Sequence, residues 1–329
     1  MILVTGGCGY IGSHVVKALT EAGEKVLVYD NLSQGTKAAL IHGEELVVGD
    51  ICDQGSLKQV FETHDIEAVI HLAALVNAAE SNDKVDLYRS VNEIGSQNVY
   101  QAAVAAGVKM IMYSSSAAVY GTPVGLEPIQ ESAPLLPTNV YGETKLAGEK
   151  LLLDIAGHEV KYGIFRFFNV GGAEEGGRLG QSRESRAIMQ RLFAVAAGDD
   201  DHIVISGHDY DTSDGTVVRD FIHVEDIALA FVLGLNNLRK GSKSFTLNLG
   251  SGESHTIGEV IKEVGIVTGK NIPLIYGPRI KGDISYSLSD ISLVQKVLGW
   301  EPVHTLRLIV RDGWNAYKKL SLKEGKHVL

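Results

Sequence analysis

The fold predicted here is α/β: a doubly wound parallel sheet with a smaller mixed α/β region towards the C-terminal end. Three observations predict it. Short apolar, β-rich runs alternate with helical patterns through the first half of the chain. Those runs are apolar almost throughout rather than at every second position, which is how a strand covered by helices on both faces reads. The first run passes through a glycine-rich turn straight into a helical pattern, as βαβ units do.

In chain order, residues 2–5 are the first expected strand, 11–22 the first helix and 25–29 the second strand. Further strands are expected at 45–48, 68–72, 110–114 and 162–168, with helical stretches near 55–63, 83–106 and 139–156. After Asn169 the character changes. A Gly-rich, charged stretch runs from 171 to 185, and strand signals thin out to 203–206 and 245–249. The chain therefore divides into residues 1–170 and residues 171–329, with some later segments returning to the first part. No repeat, low-complexity tract or Pro-rich linker intervenes, so one body with a cleft is expected.

The chain has 329 residues, 45% of them hydrophobic, enough for a large core. Its formal net charge of −10 gives no general reason to bind nucleic acid or an anionic membrane. Two cysteines, Cys8 and Cys52, favour a reducing cytoplasm over a disulfide-rich secreted setting. The first residues show no signal-peptide pattern. No run of about 18 apolar residues suggests a membrane helix, and no metal site is expected.

The turn Thr5-Gly6-Gly7-Cys8-Gly9-Tyr10-Ile11-Gly12 follows a strand and opens a helix. Gly6 permits the tight turn, Gly9 lets backbone approach a pyrophosphate, and Gly12 lets the helix sit close to the sheet. The helix N-terminus offers N–H groups to phosphates. Asp30 ends the second strand eighteen positions after Gly12. A carboxylate there accepts from ribose hydroxyls and repels a 2′-phosphate, which favours NAD over NADP. A Gly-rich turn and a capping Asp are the plain alternatives. The complete strand–turn–helix–strand context favours a Rossmann-type dinucleotide domain over residues 1–170.

Tyr141 and Lys145 lie four apart in a helical stretch and so share a face. An ammonium beside a phenol favours the phenolate, so Tyr141 is a candidate base. Read alone, this spacing also fits a surface tyrosine beside a solvated lysine. Ser114-Ser115-Ser116 closes an apolar strand, the end at which α/β sheets present ligand-binding groups. Ser116 is the candidate hydroxyl partner there.

These motifs carry a resemblance. The chain resembles the extended short-chain dehydrogenase/reductase family and, within it, the branch that epimerises nucleotide-linked sugars at C4. The stretches are TGGCGYIGSH (5–14), YDNLSQG (29–35), GDI (49–51), HLAA (71–74), SSSAAVYG (114–121), YGETK (141–145), RFFNVGGA (166–173) and GHDYDTSDGTVVRDFIHVEDIA (207–228). The resemblance implies NAD as cofactor, held by Gly6, Gly9, Tyr10, Ile11, Gly12, Asp30, Asn31, Asp50, Ile51, Leu72, Ala73, Ala74, Asn92, Ser114, Tyr141, Lys145 and Phe168. Asp50-Ile51 would hold the adenine. Tyr141 would be the base, Lys145 its electrostatic partner and Ser116 the hydroxyl partner. Asn169, Arg219, Arg279 and Asp283 would join Ser116 and Tyr141 around a UDP-sugar. An arginine fork suits a diphosphate, although Arg219 could equally pair with neighbouring Asp220.

The implied reaction interconverts UDP-glucose and UDP-galactose through a transient 4-keto sugar, with no net redox change. A small residue at Ser287 suggests room for an N-acetyl group. The resemblance also implies a homodimer built on the stretches 83–106 and 139–156. Departures from the family pattern fall at Val76, Ser206, Met189-Gln190 and Ile280, mostly on the nucleotide side. A UDP-glucuronate 4-epimerase needs the same residues. A dehydratase or decarboxylase usually carries an acid just after the active-site hydroxyl, where this chain has Ala117 and Ala118. A non-catalytic NAD-sensing protein would have no need of the Tyr/Lys pair.

Overall fold

A computed structural model describes residues 1–123, 125–157, 159–279 and 284–324. The first half runs β1 (Ile2–Thr5), α1 (Tyr10–Glu21), β2 (Val26–Asp30), β3 (Glu45–Val48), α2 (Gln54–Thr63), β4 (Ala68–His71), α3 (Ala78–Ser81), α4 (Val85–Arg89), α5 (Ser96–Ala105), β5 (Met110–Ser116), α6 (Val140–Ala156) and β6 (Lys161–Phe167). The rest comprises β7 (Asn169–Gly171), α7 (Ile188–Ala197), β8 (Ile203–Ser206), β9 (Val218–His223), α8 (Val224–Arg239), β10 (Phe245–Leu249), β11 (Ser254–Thr256), α9 (Ile257–Thr268), β12 (Leu274–Gly277), β13 (Tyr286–Ser287), α10 (Ser292–Leu298) and α11 (Leu306–Glu324).

Among the described residues the main sheet has seven strands in the order β10-β6-β5-β4-β1-β2-β3, and every adjacent pair is parallel. The chain winds one way from β1 to β3 and the other way from β4 outwards. The direction reverses between β1 and β4, and in such sheets a ligand binds beyond the strand ends at that reversal. Successive strand residues feed opposite cores. Ile2, Val4, Val28 and Ile70 pack on one face with Phe231 of α8. Leu3, Leu27, Val69 and Ile111 pack on the other with Leu57 of α2, Tyr100 of α5 and Leu152 of α6. Burial on both faces is why the strands read as continuous apolar runs.

One expectation needs correction. The stretch 83–106 is not one α-helix. α4 passes through a π-helical segment, Ser90–Gly95, into α5. A π turn adds a residue that no apolar period of 3.6 reveals. The strand 245–249 is β10, the seventh strand of the main sheet beside β6, and is one of the later segments that return to the first part. The smaller sheet is centred on β9, which pairs with β7, β11 and β13. β8 and β12 form a parallel pair. Their core joins Phe193 of α7, Phe221, Val260 of α9 and Ile309 of α11.

Candidate active site

The glycine turn forms a cradle at the end of β1. Gly6 has φ +71°, and a Cβ there would lie 2.6 Å from the Ala73 nitrogen. A Cβ on Gly12 would lie 2.0 Å from the Gly6 carbonyl oxygen. Both positions demand glycine for the loop to close. At Gly9 the nearest neighbour of an added Cβ is the Gly6 oxygen at 3.3 Å, so the space above it is left to a ligand. No side chain caps α1, so its first N–H groups face that space.

Buried Asp30 accepts from the Cys8 N–H at 2.9 Å and the Leu32 N–H at 2.8 Å. One lone pair on each oxygen is left for hydroxyl donors. Asn31 donates to Asp50 at 3.0 Å, and Asp50 accepts from the Cys52 N–H at 2.8 Å. That backbone bond holds the Asp50 carboxyl below its ordinary range. A cradle shaped by glycine, an uncapped helix end and a positioned carboxylate suit a dinucleotide without a 2′-phosphate.

Other expected cofactor contacts turn their side chains elsewhere. Tyr10 donates to the Gly172 carbonyl at 2.7 Å, tying α1 to the chain after β7. Ile11 and Leu72 pack against one core, and Ile51 is buried in the other beneath Gly95. Ala73 packs against that second core, and Ala74 is half-buried. Phe168 sits in a satellite cluster with Val119, Tyr120 and Leu146. Buried Asn92 donates to the Leu75 carbonyl (3.0 Å) and the Thr144 hydroxyl (3.0 Å) and accepts from the Leu75 N–H (2.8 Å). It therefore fixes the loop after β4 to α6.

At the end of β5, the helix and strand meet residue by residue. Asn139 caps α6 through the Gly142 N–H, and Ser81 accepts from the Tyr141 N–H at 3.0 Å. Lys145, only 3% exposed, donates to the Ser114 carbonyl at 2.8 Å. Its Nζ lies 6.0 Å from the Tyr141 ring centre and 5.1 Å from that of Tyr113. The Ser116 oxygen accepts from the Ala118 N–H and faces the Tyr141 phenol.

The expected phenolate is not ready-made. Burial raises the Tyr141 phenol above its ordinary value, and the Ser116 hydroxyl only partly offsets this. Burial also pulls Lys145 down to about 7, with Glu149 opposing. Desolvation outweighs the mutual help of a phenol and an amine this far apart.

The substrate side is less assembled. Asn169 opens β7, half-buried. Arg219 on β9 donates to the Val218 carbonyl at 2.9 Å and the Ile284 carbonyl at 2.6 Å. Its neighbour Asp220 is fully buried and accepts instead from Ser251, Gly252 and Ser289. Arg279 bonds Asp209 at 2.7 Å and stacks over Tyr210 at 4.2 Å in a half-exposed ion pair. Ser287 pairs with Arg219 in register, and Val76 is 68% exposed. Asp283, Ile280 and Lys281 lie outside the described residues.

Sequence reasoning missed a buried polar layer. His71 bridges Thr5 (2.7 Å) and Ser96 (2.9 Å), and burial lowers it to about 3. Glu149 and Arg166 form a two-pronged ion pair at 2.9 and 2.7 Å. The signal was present: an acid on the apolar face of α6 and an arginine inside an apolar strand each require a partner.

Residues 2–250 match the model of the NAD-dependent epimerase/dehydratase family. A UDP-glucose 4-epimerase of Halalkalibacterium halodurans is 41% identical over 321 residues, 97% of this chain and 96% of that protein. The UDP-glucose-4-epimerase structure from Stenotrophomonas maltophila, with NAD and formylated UDP-arabinopyranose bound, aligns with TM-score 0.94 at 37% identity, covering 98% and 99% of the two chains. A UDP-Glc/GlcNAc 4-epimerase from Campylobacter jejuni aligns at 0.85 and 35% identity, covering 97% and 99%. With its glycine cradle, placed Asp30 and end-to-end relatives, this chain belongs to the NAD-dependent epimerase/dehydratase family.

Proposed function

We propose that the protein interconverts UDP-glucose and UDP-galactose by inverting C4, with Tyr141 as base and Ser116 and Lys145 as its partners. The observation that carries the reading is the meeting of these three side chains at the end of β5, beside the reversal point that holds the glycine cradle. NAD, held by the glycine cradle, the start of α1 and Asp30, would supply a hydride acceptor and donor for C4. The chain's own residues do the rest. Ser116 orients the C4 hydroxyl, Tyr141 takes and returns its proton, and Lys145 stabilises the phenolate. Burial raises that phenol and the Ser116 hydroxyl partly offsets it.

Ala117 and Ala118 form a 3₁₀ turn after Ser116 and hold no acid to protonate a leaving hydroxyl, which favours epimerisation over dehydration. Asn169 and Arg219 are assigned to the diphosphate side. A half-buried Ser287 beside Arg219 supports tolerance of N-acetylated sugars, as the name of the Campylobacter relative implies for that protein. We assign the dinucleotide-binding part to residues 1–170 and the substrate part mainly to 171–329. A homodimer on the stretches 83–106 and 139–156 is supported by exposed Leu87 on α4, Ile94 in the π-helical segment and Leu153 on α6. A cytoplasmic setting is supported by unpaired Cys8 and Cys52. No helix among the described residues is long and apolar enough to cross a membrane.

Incubation with UDP-glucose, UDP-N-acetylglucosamine and UDP-glucuronate, followed by identification of C4 epimers, tests the reading. UDP-galactose is the expected product from the first. An epimer from UDP-glucuronate alone would reassign the substrate, and none from any of the three would overturn the function.

A further inference from the structure

Three consecutive strand residues meet three successive turns of α6. Ser116 faces Tyr141, the Ser114 carbonyl accepts from Lys145, and the Ser115 hydroxyl donates to Glu149 at 2.5 Å. Tyr141, Lys145 and Glu149 are each four apart and so share one helix face. Glu149 is 3% exposed, and Arg166, Ser115's register partner on β6, is 5% exposed. Beyond the ion pair, Arg166 reaches the Tyr120 hydroxyl at 2.9 Å and the Glu131 carbonyl at 3.2 Å. Tyr120 donates on to Asn248 of β10 at 2.6 Å.

A buried ion pair is a poor device for stability alone, because an apolar pair of similar volume is commonly as stable. The position of this charge is what the fold preserves. We propose that Glu149 is a positioning residue for the catalytic lysine: clamped by Ser115 and Arg166, it sets the register of α6 on the end of β5 and supplies a fixed negative charge one turn from Lys145. The proposal rests on the reading of Tyr141 and Lys145 as the catalytic pair.

Arg166 bonds both Glu149 oxygens and offsets part of the charge that Lys145 feels. Around Lys145 stand Tyr113 on β5, His71 on β4 and Tyr141 on its own helix. Burial keeps His71 and the Tyr113 phenol neutral. Glu93 of the π-helical segment acts on Tyr113. Around Glu149 stand Tyr100 on α5, Tyr113, Tyr120 and Arg166. Glu131 lies beyond Arg166 and is raised by its own burial. Burial drives Lys145 towards its neutral form and Glu149 opposes it. Loss of the Glu149 charge therefore lets Lys145 deprotonate at lower pH. The step that needs an ammonium then fails earlier as the pH rises.

The test measures kcat, KM and the pH profile of epimerisation of UDP-glucose by NAD-loaded wild-type, Glu149→Gln, Glu149→Asp and Glu149→Gln/Arg166→Gln proteins. In Glu149→Gln, kcat should fall roughly tenfold or more, with KM nearly unchanged and the alkaline limb moved to lower pH. Glu149→Asp should restore the limb. The double variant leaves no unpaired buried charge, so it carries the test if the single variant fails to fold, and its limb should move in the same direction by a smaller step, because the Arg166 charge is removed with that of Glu149. Wild-type kcat and limb in Glu149→Gln or in the double variant overturn the proposal. So does a lower kcat with an unmoved limb, which is the mark of a merely structural role. Active wild-type protein and an inactive Tyr141→Phe control separate a failure here from a failure of the catalytic reading.

Discussion

In the proposed reaction Tyr141 is the base, and it must give up a proton that burial favours keeping. Positioned general bases contribute about 10²–10⁴-fold. Tyr141→Phe should therefore lower kcat by roughly that factor while the purified protein keeps its NAD. Unaltered turnover would remove Tyr141 from the mechanism. Lys145 lends itself to a thermodynamic check on the cofactor-free protein. Its amine falls to about 7 in the fold and titrates near 10.4 in an unfolded chain. Between those values the unfolded state binds more protons, so stability should rise with pH. Thermal midpoints measured from pH 7 to 9 should climb, and the climb should shrink in Lys145→Met. Parallel slopes in the two proteins would contradict the assigned burial. At this scale the sequence was most legible where one residue's chemistry sufficed. Spacing placed Asp30 at the end of β2 and Tyr141 and Lys145 on one face of α6, while their roles came from context and resemblance. Arg219 and Asp220 could not be resolved, because neighbours on a strand point to opposite faces and adjacency along the chain says nothing of contact.

Elements were legible to the extent that burial was uniform along them. β3 and β8 fall at the expected residues, whereas β5 runs on to Ser116, because a parallel partner can carry polar residues into a strand. β9 was not foreseen as a strand. Its Arg219, Asp220 and His223 look like surface residues, yet Asp220 is satisfied by donors from two other loops. The segment from β1 to α1 is where an element-level prediction belongs. Gly12→Ala places a methyl group 2.0 Å from the Gly6 oxygen, so loop and helix must part. A loss of about 1–3 kcal/mol is expected from such overpacking, with weaker retention of NAD. Chemical denaturation and the NAD content of the purified variant measure both, and a variant with wild-type values for each would show that the cradle is not closely packed.

For the whole molecule, NAD is expected to act as a stabilising ligand. At 100 times its Kd the gain should be about 2.7 kcal/mol, visible as a higher midpoint in calorimetry. On the acid side, burial holds His14 at about 4 and His71 at about 3, below their ordinary value near 6.5. The unfolded chain therefore takes up those protons first, and stability should fall as the pH drops below about 6.5. What the linear sequence could not disclose is how far the second half reaches back. Phe231 and Leu235 of α8 and Phe245 and Leu247 of β10 belong to the same apolar core as Ile2, Val28 and Ile70, and β10 covers the edge of β6. The two parts are thus spliced rather than concatenated. A fragment ending at residue 170 should show no cooperative unfolding. A chimera that exchanges residues 171–329 at that single junction would inherit a foreign edge strand β10 and a foreign α8. Only a recombinant with crossovers on both sides of α8 and β10 would keep one parent's sheet whole, so exchange of specificity on this scaffold is expected to succeed by patches and not by modules.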